Sequence, residues 1–225
     1  MGIKNNITLE DVIEWLKLDY GIRLAKREDS DQILRIYRPF IEGTAVTFET
    51  TVPTAAAFAE RVLAIEKEAP WFVCESNGMV VGYAYAGRHR VREAYRWTRE
   101  VSVYVEEGHQ GMGVASGLYT ALLGVLRIQG YKNALAGITI PNPTSIRFHE
   151  GMGFRFVGSY SKVGHKLGRY HDVGWWELFL SDKESPPGDI MPTDLAVHTG
   201  EGRLAIEKGM SIIRDKTKNT KNIHT

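Results

Sequence analysis

Between residues 71 and 86 the chain runs W-F-V-C-E-S, then Asn77-Gly78, then M-V-V-G-Y-A-Y-A. Two apolar runs of strand length joined by Asn-Gly predict a β-hairpin, because both turn residues tolerate the positive φ of a tight hairpin turn. Upstream, G-I-R-L-A at 21–25 reads as a strand leading into a helix over 29–41. There Ile33, Leu34, Ile36 and Tyr37 recur at helical spacing, and Pro39 predicts a kink or stop. T-A-V-T-F-E-T at 44–50 reads as another strand, and Pro53 opens an Ala-rich helix to about 67.

Downstream of a polar, arginine-rich loop at 87–97, the pattern predicts a strand at 99–105, a glycine loop, a helix at 113–129 and a buried strand at 134–140. P-N-P-T-S-I-R-F-H-E at 141–150 begins a helix that ends at Gly151 or Gly153, and 154–163 and 172–180 read as two final strands. Helices thus interrupt a largely antiparallel sheet. The fold class is α/β with a mixed sheet, not a repeating βαβ barrel. L-E-D-V-I-E-W-L-K-L at 9–18 has helical spacing after Thr8. Beyond Leu180 the stretch S-D-K-E-S-P-P-G-D-I-M-P reads as extended, 200–215 as a short helix and 214–225 as a loose basic tail. The chain divides accordingly into a helical extension at 1–20, a domain at 21–180 and a partly extended or disordered extension at 181–225.

Composition narrows the function classes. In 225 residues, 43% hydrophobic and 10% aromatic content is ample for a packed core. Net charge is +1, from 28 basic and 27 acidic side chains, which supports neither a nucleic-acid partner nor a polybasic membrane anchor. The single Cys74, in a strand of the hairpin, excludes an intrachain disulfide framework and reads as core packing. No run approaches the ~20 apolar residues of a membrane span. The first residues lack an apolar signal core, and Asn6 stands where a myristoylation site wants Ser or Thr, so a cytoplasmic location is expected. His89, His109, His165 and His171 are scattered over loops without ligand spacing, so no metal is expected.

Residues 108–123 read G-H-Q-G-M-G-V-A-S-G-L-Y-T-A-L-L. A phosphate-gripping P-loop would need a Lys that is absent, and a dinucleotide fingerprint fails at Ser116 and lacks its later acidic residue. What remains is Gln110-x-x-Gly113-x-Ala115, a glycine turn at a helix start whose free amides suit a pyrophosphate. One strand later Asn142, Ser145, His149, Gly153 and Phe154 follow with the spacing N-x-x-S-x-x-x-H-x-x-x-G-F. Together the two motifs resemble the GNAT N-acetyltransferase superfamily. A-Y-R-W-T-R-E-V-S-V-Y-V (94–105), H-Q-G-M-G-V-A-S-G-L-Y-T (109–120), N-P-T-S-I-R-F-H-E-G-M-G-F (142–154) and V-G-H-K-L-G-R-Y-H-D-V-G-W-W (163–176) extend the resemblance to its phosphinothricin and methionine sulfone acetyltransferase branch.

The resemblance implies an acyl-CoA N-acyltransferase fold, whose helix-flanked sheet splays between its fourth and fifth strands with acetyl-CoA in the gap. Val103, Val105, Gln110, Gly111, Met112, Gly113, Val114 and Ala115 would hold the carrier and its diphosphate, and Asn142 and Ser145 its pantetheine arm. Glu100 would be the general base, unless it is a strand carboxylate paired with Arg96 or Arg99. His149 would protonate the leaving thiolate or be a helix histidine bonded to backbone, with Tyr104 the other candidate acid. Arg90, Arg92, Tyr95 and Ser102 would hold a small amino-acid-like substrate, with Phe48 and Tyr119 as aromatic walls.

The implied reaction is acetyl transfer to the amine of phosphinothricin, methionine sulfone or methionine sulfoximine by direct attack in a ternary complex, in a homodimer. Alternatives are another small amine or a protein N-terminus as acceptor, a non-catalytic CoA-binding module, or an interaction protein acting through 181–225. Trp175 and Trp176 lie on opposite faces of the last strand and read as packing residues.

Overall fold

The computed structural model describes residues 20–181 and 187–222, with side chains to Thr217. The helix expected at 9–18 lies outside the described residues. The chain order is β1 (Tyr20–Leu24), α1 (Ser30–Gly43), α2 (Ala55–Glu66), β2 (Trp71–Ser76), β3 (Met79–Arg88), β4 (Thr98–Val105), α3 (Val114–Gln129), β5 (Asn133–Ile140), α4 (Pro143–Gly151), β6 (Arg155–Lys166), β7 (Arg169–Phe179), α5 (Thr193–His198) and α6 (Gly200–Asn222). The strands form one seven-stranded sheet in the order β1-β2-β3-β4-β5-β7-β6. All neighbours are antiparallel except β4 and β5.

Each face of the sheet carries a core. Ile33, Tyr37 and Ile41 of α1 and Phe58 and Val62 of α2 pack on Trp71, Val73, Tyr83 and Tyr104. On the other face Leu118, Leu122 and Leu126 of α3 meet Phe72, Val101 and Ala134, joined by Ala205 and Ile213 of α6. Cys74 is fully buried there, and burial pushes its thiol up to about 12, consistent with inert packing.

Three expectations need correction. Helix α1 continues past Pro39 to Gly43, so the proline does not stop it. The proline sits on the exposed face, while Ile41, two residues on, is buried and anchors the final turn. Residues 44–50 form a loop, not a strand, because the edges of the sheet belong to β1 and β6 and the segment crosses the α1–α2 face instead. Side chains fix that loop: Tyr37 Oη lies 2.6 Å from Thr47 Oγ1, Lys166 Nζ donates to the Thr47 carbonyl at 2.7 Å, and Arg61 pairs with Glu49 at 2.5 Å. Finally, α6 extends through Asn222, well into the stretch that reads as a loose tail.

The α6 helix docks antiparallel along a stripe of small residues on α3. A Cβ on Gly117 would come within 2.6 Å of the Gly209 carbonyl, and one on Gly124 within 2.6 Å of the Ala205 Cβ. The two backbones approach too closely for side chains between them.

Candidate active site

The pairing of β4 with β5 stops almost as soon as it starts. Only Thr98, Arg99 and Glu100 are in register with Asn133, Ala134 and Leu135. On its other edge β4 stays paired with β3 up to Val105. The backbone edge of 101–105 therefore faces a gap, as the expected splay requires. The gap opens into a cleft of about 510 Å³ lined by Val103, Tyr104, Val105, the 109–116 turn, Asn142, Ser145 and His149.

At the cleft's head stands the N-terminus of α3. Gly113 is its N-cap, left-handed at φ 84°, and no side chain caps the helix. The first bond of the helix runs from the Gly117 N–H to the Gly113 carbonyl at 2.8 Å, which leaves the Val114, Ala115 and Ser116 amides without a carbonyl in the helix. Gly111, at φ 79°, has nothing within 4 Å of the place where a Cβ would stand. Gly113 does not: a Cβ there would press on the Ile212 carbonyl and Lys216 of α6. Both glycines are needed for their backbone conformation, and Gly113 also for the docking of α6. Uncapped amides beside open space fit an anion such as a diphosphate. Asn142 caps α4 through Oδ1, which accepts from the Ser145 N–H at 3.1 Å.

Strand alternation puts Glu100, Ser102 and Tyr104 on one face of β4, opposite Val101, Val103 and Val105. Tyr104 closes the cleft floor, stacked 5.2 Å from Tyr83 and edge-on to Phe40 at 5.1 Å. Burial raises its hydroxyl well above the ordinary value, so it stays protonated. Glu100 pairs with neither Arg96 nor Arg99. Arg99 is buried against Glu68 at 2.8 Å, and Arg96 reaches Glu93 at 3.0 Å. Glu100 Oε1 instead lies 2.7 Å from His89 Nδ1. His89 in turn lines a second groove, of about 320 Å³, with Arg90, Leu135, Val157, Tyr160 and Trp175.

A family model described as an acetyltransferase (GNAT) domain matches residues 22–175. The chain belongs to the GNAT acetyltransferase family. The co-substrate of this family's reaction is acetyl-CoA, and the open β4 edge, the uncapped α3 amides and the Gly111 space are suited to its carrier arm and phosphates. Over 171 residues the chain is 37% identical to a phosphinothricin N-acetyltransferase of Streptomyces viridochromogenes, covering 76% of this chain and 93% of that one. It is 35% identical over 166 residues to an L-methionine sulfoximine/L-methionine sulfone acetyltransferase of Salmonella typhimurium, covering 73% and 97%. The crystal structure of a GNAT superfamily phosphinothricin acetyltransferase from Sinorhizobium meliloti, in complex with acetyl-CoA, superimposes with a TM-score of 0.73 at 30% identity, covering 80% of this chain and 98% of that one.

Not every residue assigned to the GNAT site by sequence reaches it. Tyr119 is completely buried among Phe148, His149 and Phe154, so it walls no substrate. Its hydroxyl bonds His149 Nε2 at 3.1 Å, while His149 Nδ1 lies 2.8 Å from the Ser145 carbonyl. A carbonyl only accepts, so Nδ1 carries the proton and Nε2 receives one from Tyr119. Both nitrogens are engaged within the fold, and burial lowers the imidazole's affinity for a second proton. His149 thus lines the cleft with both ring nitrogens tied to the fold and burial favouring its neutral form. Met112 turns its sulfur inward to the Tyr20 hydroxyl at 3.0 Å, so only its backbone faces the loop. The ring of Phe48 lies against Gly164 of β6 and 6.2 Å from His171, and Phe40 and Val46 supply the cleft's apolar wall instead. Arg90, Arg92 and Tyr95 are exposed, and among the described residues neither arginine makes an ion pair. His89 was missed. The signal lay in the register of β3 with β4, since Gly87 opposite Glu100 brings the residue just beyond β3 to the carboxylate.

Among the described residues no three His, Cys, Asp or Glu side chains gather as metal ligands, and no helix is long and apolar enough to cross a membrane.

Proposed function

We propose that the protein acetylates the α-amino group of a small amino-acid analogue, with phosphinothricin, methionine sulfone and methionine sulfoximine as the leading substrates. The carrier supplies the acetyl group as a thioester. The observation that carries the reading is Glu100, held by His89 on the splayed strand beside a groove bearing Arg90, which makes no ion pair among the described residues. Glu100 takes the proton from the amine as it attacks, in a complex holding both substrates. Tyr104, about 13 Å further along the strand at ~3.3 Å per residue, donates a hydrogen bond at the sulfur end. The arginines of the 87–97 loop receive the acidic oxygens of the substrate, for which a planar guanidinium fork is suited. A polyamine would be repelled by the same charges.

The names of the relatives support this substrate class. The test is thiol release from acetyl-CoA against a panel of phosphinothricin, methionine sulfone, methionine sulfoximine, ordinary amino acids, polyamines and peptides. Highest kcat/KM for one of the first three is expected. Turnover confined to peptides or polyamines contradicts the reading.

The same reading includes a homodimer. Phe156, Val157, Tyr160 and Val163 on edge strand β6 and Tyr170 on β7 are more than half exposed, an apolar surface of the kind monomers rarely leave bare. Light scattering at twice the chain mass is expected.

A further inference from the structure

The cleft receives one side chain from outside the matched domain. The family match ends at residue 175, yet Lys216 of α6 lines the cleft together with Gly111, Gly113, Val114, Ala115 and Ser116. Its position is fixed from below. Ile213 is fully buried, Gly209 meets Gly117, and the Lys216 stem lies where a Gly113 Cβ would be 3.1 Å from Cγ. Among the described residues, the cleft lining contains no carboxylate, and its one lysine or arginine is Lys216.

We infer that the C-terminal helix is part of the acyl-carrier site and that Lys216 binds a phosphate group of CoA. The inference rests on the acyl-carrier reading of the cleft. A diphosphate at the α3 N-terminus brings negative charge to a partly desolvated edge, where backbone amides supply direction and an ammonium supplies neutralising charge. The stem of Lys216 packs against Gly113 of the glycine turn, which sets a cationic side chain beside the amides of the helix start. The extension thereby couples the appended helix to the carrier, because the surface that docks α6 is the outer side of the turn whose inner side meets the phosphates.

The test is calorimetric affinity for CoA, 3′-dephospho-CoA and pantetheine in the full chain, comparing the native protein with Lys216→Gln and Lys216→Arg. Lys216 is exposed, so the substitution should leave the melting temperature unchanged. Lys216→Gln is expected to weaken CoA about three- to tenfold, with restoration by Arg and no loss for pantetheine, which has no phosphate. An equal loss for dephospho-CoA assigns the contact to the diphosphate, and a loss for CoA alone assigns it to the 3′-phosphate. Unchanged CoA affinity, or a matching loss for pantetheine, overturns the inference. Absence of CoA binding by the native protein overturns the acyl-carrier reading itself.

Discussion

His89 Nδ1 and Glu100 Oε1 are 2.7 Å apart, joining the residue just past β3 to the strand that borders the open gap. The imidazole is itself held edge-on by Tyr95 at 5.8 Å and Trp175 at 5.9 Å. This makes His89 a positioning residue for the proposed base. Replacing His89 by Ala frees the carboxylate, and small losses of alignment are costly in transfer reactions. A fall in kcat on the order of tenfold is expected, with the KM for acetyl-CoA unchanged and partial recovery in His89→Asn. Equal kcat in His89→Ala contradicts the role.

The arginine loop should act on one substrate only. Arg92 precedes the turn at Glu93–Tyr95, is exposed, and among the described residues makes no ion pair. Arg92→Ala should raise the amino-acid KM roughly tenfold, the scale of one charge-assisted contact, and leave the KM for acetyl-CoA in place. Steady-state kinetics with each substrate varied in turn reads both values.

Docking of α6 depends on bare backbone. Gly117→Ala gains up to ~1 kcal/mol of helix propensity, but its methyl would meet the Gly209 carbonyl at 2.6 Å and the Ile213 Cγ1 at 2.7 Å. Steric cost should win, with a net loss of about 1–3 kcal/mol in denaturant unfolding. Unchanged stability would mean that α6 is not seated on α3.

Burial lowers the His149 pKa, against a weaker opposing effect of its bond to the Ser145 carbonyl. The folded state then binds fewer protons than the unfolded chain as pH falls through the unfolded histidine value near ~6.5. Stability should fall from pH 7.5 to pH 5.5, by at most about 1.4 kcal/mol per pH unit for this residue. His109, also lowered by burial, adds in the same direction. His149→Gln should lower stability at pH 7.5 through loss of the Tyr119 bond, yet flatten the slope with pH. An unaltered slope in urea melts would refute the neutral assignment.

Periodicity made much of this fold legible. The 71–86 hairpin and the helix after the glycine loop follow from apolar pattern and turn chemistry, whereas the splay between the fourth and fifth strands was implied only by the family resemblance. The loop at 44–50 was misread because alternating Val46 and Phe48 satisfy packing on neighbouring elements as readily as they satisfy a sheet. Tyr119 was misplaced because a helix position next to a motif carries no sign of which face is buried. The glycines of α3 hid a second purpose. Read along the chain they suit an anion; in three dimensions Gly113 and Gly117 face α6. Contacts between small residues leave no apolar stripe to read, and for the same reason Lys216 gave no hint that it would reach the cleft.

Substitution of Glu100 by Gln bears most directly on the central claim, because it removes the proposed base while keeping the side chain's shape. Single-turnover thiol release should slow by about 10²- to 10⁴-fold, while calorimetry returns the native affinity for CoA. A variant that retains the native rate across pH would contradict the account, whatever its affinity for the carrier.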